Sequence, residues 1–193
     1  MGATADCINT QSVDGRNATP LAIFNAVRYV LGGIELDPAS DRVINSDVGA
    51  KRIYSIEDDG FSKDWRAKTA WLNPPGKTRS KGKSVSASQW FKKLYAHWEA
   101  GDVESAIALV YRAGSIGSLG TKILSHPICL TTSGVEAKTI NGSGRFSFDL
   151  ITEDGRKSQP QNTQSSLFFL LTRDLNQVAR FEDAFSTFGV VKK

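Results

Sequence analysis

Residues 69–79 read TAWLNPPGKTR, an apolar run that stops on an asparagine, two prolines and a glycine and then turns basic. Pro74 and Pro75 fix the backbone and remove two N–H donors, so carbonyls at this corner are left to accept hydrogen bonds. Asn73 adds a side-chain carbonyl beside them, and two oxygens side by side suit the gripping of an NH2 group. The same residues also make an ordinary strand-to-loop turn, since Asn-Pro and Pro-Pro are common loop punctuation. Beyond the corner, KTRSKGK (77–83) carries Lys77, Arg79, Lys81 and Lys83 with no acid among them. That cluster either neutralises the phosphates of a bound polyanion or stands as a solvated loop.

A second cluster, IEDDG (56–60), is acidic and contains Glu57, Asp58 and Asp59. Such a group can hold a metal, and a metal-dependent nuclease is the activity it would support, but no companion Lys or His motif accompanies it. His97 and His126 stand without a ligand pattern, and Cys7 and Cys129 are too few for a disulfide framework. No metal is therefore expected.

These residues need elements to position them. Residues 1–17 read as a flexible, polar arm ahead of a domain spanning 18–193. Thr19-Pro20 predicts a helix start, with Thr19 as cap and Leu21, Phe24, Val27, Arg28 and Leu31 at helical spacing until Gly32-Gly33. Strands follow at 34–38 (IELDP), 51–57 (KRIYSIE) and 69–72 (TAWL), with a polar turn, DDGFSKDW, before the last of these. A basic loop at 76–89 leads into an amphipathic helix at 86–101, in which Trp90, Leu94 and Trp98 fall four apart. The run SAIALVY (105–111) has the pattern of a strand buried on both faces. A short helix at 117–126, a strand at 127–131, a Gly/Ser-rich loop or hairpin insertion at 132–165, a strand at 165–172 and a helix at 175–188 complete the chain. Within the insertion, 144–151 suits one strand of a hairpin.

Strands alternating with helices predict an α/β fold, a mostly parallel central sheet with helices on both faces. Ligands of such sheets sit at the carboxyl ends of the strands. Four strands in succession end on Asp37-Pro38, Glu57-Asp58-Asp59, Asn73-Pro74-Pro75 and Tyr111-Arg112, which places one site along one edge.

Asn-Pro-Pro after an apolar strand is similar to the (D/N/S)PP(Y/F/W) motif of amino-methyltransferases, which use S-adenosylmethionine (SAM). The chain resembles one branch of them, the phage-type, Dam-like DNA adenine methyltransferases, through Thr19-Pro20, Leu36-Asp37-Pro38-Ala39, Asp59-Gly60-Phe61 with Asp64-Trp65, Asn73-Pro74-Pro75 and Gly144-Arg145-Phe146-Ser147-Phe148. These motifs appear in family order across residues 19–148. The resemblance implies a Rossmann-like fold and SAM-dependent methyl transfer to the N6 amine of adenine in DNA, protecting viral DNA from host restriction. It also implies Asn73, Pro74 and Pro75 as catalytic residues. Thr19, Pro20, Asp37 and Pro38 are expected to hold the cofactor, and Asp58 or Asp59, with Phe61, to border its adenosine.

The chain departs from the family at Gly76, where an aromatic usually stacks on the extruded base. Tyr111 and Trp90 are the rings that could substitute, Tyr111 preferred because Trp90 falls on the core stripe of its helix. A Gly-x-Gly after Asp37-Pro38 is also absent, with the small Ala39-Ser40 in its place. Lys77, Arg79, Lys81, Lys83 and Arg112, with Arg145, are the expected DNA contacts. Two alternatives follow from the departures: an inactive SAM- or DNA-binding relative, or a methyltransferase acting on another amine such as cytosine N4 or on RNA.

The bulk properties agree with these expectations. The 193 residues suit one domain with a real core, and a net charge of +4 with pI near 9.1 permits a polyanionic partner. No apolar stretch reaches membrane-spanning length and the first residues lack the layout of a signal peptide, so a cytoplasmic protein is expected, in the host cytoplasm if phage-encoded.

Overall fold

Two apolar runs become the middle of the main sheet. In the computed structural model, which describes residues 11–12, 15–110, 122–131, 149–152, 155–158 and 166–193, they form β8 (Val103–Val110) and β12 (Leu167–Leu171). Alternate side chains of each strand enter different layers. Ile107, Leu109, Phe168 and Leu170 pack with α1 (Leu21–Leu31), Val48 of α2 (Arg42–Val48) and α4 (Leu175–Phe185). Ala106, Ala108, Val110, Leu167, Phe169 and Leu171 pack with α3 (Ala87–Glu99). Helices therefore cover both faces, which is why both strands lack a polar alternation.

The sheet has seven strands in the order β4 (Arg52–Ile53), β3 (Leu36–Asp37), β5 (Ala67–Leu72), β8, β12, β9 (Ile128–Thr131) and β13 (Gly189–Lys192). The first four are parallel neighbours; β12 is antiparallel to both β8 and β9, and β13 is antiparallel to β9. Five strands (β3, β4, β5, β8 and β9) thus point the same way, giving a mostly parallel sheet as expected. A second sheet of four strands joins β1 (Gln11–Ser12), β2 (Gly15–Ala18), β10 (Asp149–Thr152) and β11 (Gly155–Ser158), all antiparallel.

Several expectations change. Residues 11–12 and 15–18 are strands of this second sheet rather than part of a loose arm, because β10 supplies backbone partners that lie far away in sequence. Pro20, not Thr19, is the N-cap of α1, with no side-chain cap, and its carbonyl accepts from Ile23 N at 3.0 Å. The 76–89 segment is no loop: it forms a hairpin of β6 (Lys77–Ser80) and β7 (Lys83–Ser86), then enters α3 through a capping box between Ser86 and Gln89. The strand expected at 51–57 ends at Ile53, and of the helix expected at 117–126 the described part holds one 3-10 turn, Ile123–Ser125. The short α2 and the edge strand β13 were not foreseen. Among the described residues, no helix is long and apolar enough to cross a membrane.

Candidate functional site

The chain runs from β3 outward to β4, then crosses back to β5 on the other side of β3. Loops leaving β3 and β5 diverge at such a reversal of strand order and open a crevice at the carboxyl edge. Asp37 ends β3 and Asn73 follows β5, and the two strands are hydrogen-bonded neighbours through the Leu36–Ala70 pairing. The β8 strand ends at Val110 on the same edge. Tyr111 and Arg112, expected just beyond it, lie outside the described residues, as does the 144–148 motif.

At the corner, Asn73 Nδ2 donates to Thr19 Oγ1 at 3.1 Å. Thr19 is buried, with 3% of its surface exposed, and its hydroxyl serves Asn73 instead of capping α1. With the amide NH2 directed to Thr19, Asn73 Oδ1 is the atom left to accept, and among the described residues nothing donates to it or to the Pro74 carbonyl. Pro74 is buried, while Pro75 and Gly76 are exposed.

Asp37 is buried at 3% exposure and accepts from Ala39 N at 3.0 Å. Burial pushes its carboxyl up to about 7; the Ala39 N–H and Ser40 hydroxyl oppose this, and the neighbouring Asp41 charge adds to it. Pro38 is buried beside it and receives Gly60: a Cβ at Gly60 would lie 2.1 Å from the Pro38 carbonyl oxygen. Only a glycine lets the acidic turn close on the β3 loop.

That turn is fixed at several points. Asp58 accepts from the N–H and the hydroxyl of Ser55, each at 2.9 Å, and these bonds hold its carboxyl below the usual range. Asp59 adopts a left-handed backbone (φ 51°) and accepts from Ser80 Oγ at 2.9 Å, tying the turn to the β6–β7 hairpin. Trp65 Nε1 donates to the Gly60 carbonyl at 2.8 Å. Lys93 Nζ donates to the carbonyls of Phe61 (2.7 Å) and Lys63 (2.5 Å) and lies 5.0 Å from the Trp65 ring centroid.

Comparisons with protein-family models, curated proteins and solved structures found no match. Any functional reading of this chain therefore rests on its residues and geometry.

The edge brings together Thr19, Asp37, Pro38, Asn73 and Pro74, with Pro20 buried at the head of α1. The Asp58–Asp59 turn joins them through Gly60, and the hairpin joins through Ser80. Phe61 is half-buried and its ring meets Trp90 edge-on at 5.3 Å, so it also braces the core. Trp90, considered as a replacement for the ring missing at Gly76, is buried between Phe61 and Trp65 and is withdrawn from any base. Lys77 opens β6, and Arg79, Lys81 and Lys83 are exposed. Among the described residues no group of three His, Cys, Asp or Glu side chains could hold a metal. A cavity of 310 Å³ against α3, lined by Phe91, Tyr95, Lys122 and Ile123 among others, involves none of these residues.

Two residues of the site were not assigned roles from the sequence. Ser80 reads as one more polar position in a basic run; the Lys-Gly pair after it was the available signal of a hairpin. Gly60 was noted within Asp-Gly-Phe, and a glycine between two fixed turns is a sign of close backbone approach.

Proposed function

We propose that this chain is a SAM-dependent DNA methyltransferase of Rossmann-like fold that acts on the N6 amine of adenine. The observation that carries the reading is the orientation of Asn73. Its NH2 is committed to Thr19, which leaves Oδ1 and the adjoining Pro74 carbonyl as acceptors at the switch point of the sheet.

The adenine amino group is a weak nucleophile because its lone pair is delocalised into the ring. When Asn73 Oδ1 and the Pro74 carbonyl accept its two hydrogens, the nitrogen can pyramidalise and direct its lone pair outward. SAM supplies a methyl group on a sulfonium, an excellent leaving group. Positioning and charge complementarity then account for most of the acceleration, and an amide suffices where a strong base is not required. The proton lost from the methylated nitrogen passes to solvent.

The residues present fit a cationic cofactor. Asp37 is a buried carboxyl at the end of β3 whose pKa is raised by burial, and among the described residues no Lys or Arg pairs with it. The Pro38–Gly60 contact leaves a close-packed backbone wall next to it. Pro20, Asp37 and Pro38 would hold the cofactor, with the Asp58–Asp59 turn at its border, while Thr19 positions Asn73.

Gly76 favours a second reading, an inactive SAM- or DNA-binding relative, because the position is exposed and carries no ring. Calorimetry with SAM, then transfer of tritiated methyl to unmethylated DNA, separates the two. Binding with transfer supports the enzyme; binding without transfer supports the relative; absence of SAM binding refutes the enzyme and leaves only a DNA-binding relative.

A further inference from the structure

The flank of α3 that faces the turn Ile123–Ser125 is not closed by packing. Phe91, Tyr95 and Glu99 follow one another a helical turn apart along it, with Lys92 and Ala96 alongside. Between this flank, the turn and β12 lies the cavity of 310 Å³. Its floor is Phe91, Ile123 and Phe169, none more than 2% exposed. The Phe91 and Phe169 rings meet edge-on with centroids 5.9 Å apart, which makes the floor a fixed aromatic corner. Ala96 gives the wall only a methyl group. The mouth is charged, with Lys92, Glu99 and Lys122 exposed there. Lys122 Nζ lies 3.6 Å from Glu99 Oε1 and 5.0 Å from the centroid of the Tyr95 ring. Lys92 makes no ion pair among the described residues, and the Tyr95 hydroxyl makes no hydrogen bond among them. Two cations against one carboxylate leave Lys92 as the uncompensated charge.

We infer that this cavity is a second ligand site, one that takes a small aromatic carboxylate of one or two fused rings. It stands apart from the methyl-transfer reading, since none of its lining residues belongs to the Asn73 edge. Lys93, one position past Lys92, reaches the acidic turn on the other flank of α3. The volume is at the low end of ligand pockets, about 300–1,000 Å³, which suits a compact, flat molecule. A ring laid in the corner gains contacts with Phe91 and Phe169 and takes apolar surface out of water. Its carboxylate meets Lys92, the cation without a partner, and accepts from the Tyr95 hydroxyl. A neutral ring of the same shape gains only the apolar part, and a cationic one meets Lys92 as a like charge. Charge therefore selects among ligands that fit equally well.

The test is titration of the full chain, labelled with nitrogen-15 and free of SAM and DNA, with 2-naphthoate and with its neutral counterpart 2-naphthamide. Amide chemical shifts report both the affinity and the place of binding. Saturable shifts are expected over residues 91–99 and 122–125, with naphthoate bound about tenfold tighter than naphthamide, as one charge-assisted contact should give. Lys92→Glu should remove that preference and leave naphthamide binding unchanged. Ala96→Trp fills the cavity and should abolish binding of both probes. Lys92 and Ala96 are exposed helix positions, and the spectrum of each variant checks that it is folded. Shifts that do not saturate or that fall elsewhere, equal affinity for the two probes, or binding kept by folded Ala96→Trp overturns the inference. If Ala96→Trp does not fold, Lys92→Glu decides, and an undiminished preference for the carboxylate in that variant overturns it.

Discussion

Asn73 and Thr19 are joined by a side-chain hydrogen bond of 3.1 Å across 54 residues of chain. The bond sets which end of the Asn73 amide faces Thr19 and so which end is left for a substrate. Thr19 lies between the second sheet and α1, directly after β2, so the head of α1 and the corner after β5 hold one another.

The first prediction separates two roles for Thr19. Thr19→Val removes the acceptor while keeping the shape, so the Asn73 amide loses its anchor. One lost hydrogen bond is worth about 1 kcal/mol, and kcat is expected to fall roughly fivefold with KM for SAM little changed. A rise in KM at constant kcat would show that Thr19 holds the cofactor directly.

The second concerns Asp37. Its carboxyl titrates at about 7 in the folded chain, above the unfolded value near 3.8. The raised value makes the contribution of Asp37 to stability most favourable below the unfolded pKa. That contribution is lost as pH rises, and the loss is complete once pH passes about 7. Asp37→Asn abolishes this titration, so its stability relative to wild type should climb from pH 4 to pH 8. Denaturant unfolding at several pH values checks it, and a flat difference would contradict it. A cationic cofactor favours the ionised form, so wild-type SAM affinity should also rise through pH 7, by up to about tenfold between pH 6 and pH 8.

The third uses two glycines of similar geometry. A Cβ at Gly60 meets the Pro38 carbonyl at 2.1 Å, and one at Gly189 meets the Leu130 carbonyl at 2.0 Å. Each alanine variant should lose about 1–3 kcal/mol in thermal or denaturant unfolding. Only Gly60→Ala should also weaken SAM binding, because Gly189 lies on β13 at the far edge of the sheet. Equal effects of the two on SAM would place Pro38 outside the site.

The fourth tests the brace under the acidic turn. Lys93→Met keeps the aliphatic stem over Trp65 and removes both donations, to Phe61 and Lys63. A loss of about 1–2 kcal/mol is expected, with faster amide exchange confined to residues 59–65. Uniform exchange across the chain would contradict a local brace.

Much of this architecture could be read from the sequence because it depends on local patterns. The apolar runs around Ile107 and Phe169 announce strands covered on both faces, and Trp90, Leu94 and Trp98 announce the helix that covers one of them. The polar strand ends at Asp37 and Asn73 announce the edge on which they meet. What was not legible depends on distant partners. The arm at 15–18 becomes a strand only because β10 pairs with it. Thr19 looks like a helix cap until Asn73, 54 residues later, takes its hydroxyl. The KTRSKGK hairpin is fastened by a serine whose partner, Asp59, belongs to another element.

The most direct measurement is transfer of tritiated methyl from SAM to unmethylated duplex DNA by wild type and by Asn73→Ala, followed by nucleoside digestion and by calorimetry of SAM binding. Wild type is expected to yield labelled N6-methyladenine and Asn73→Ala none, with SAM affinity kept by both. Label absent from adenine with wild type, or equal label with Asn73→Ala, would contradict it.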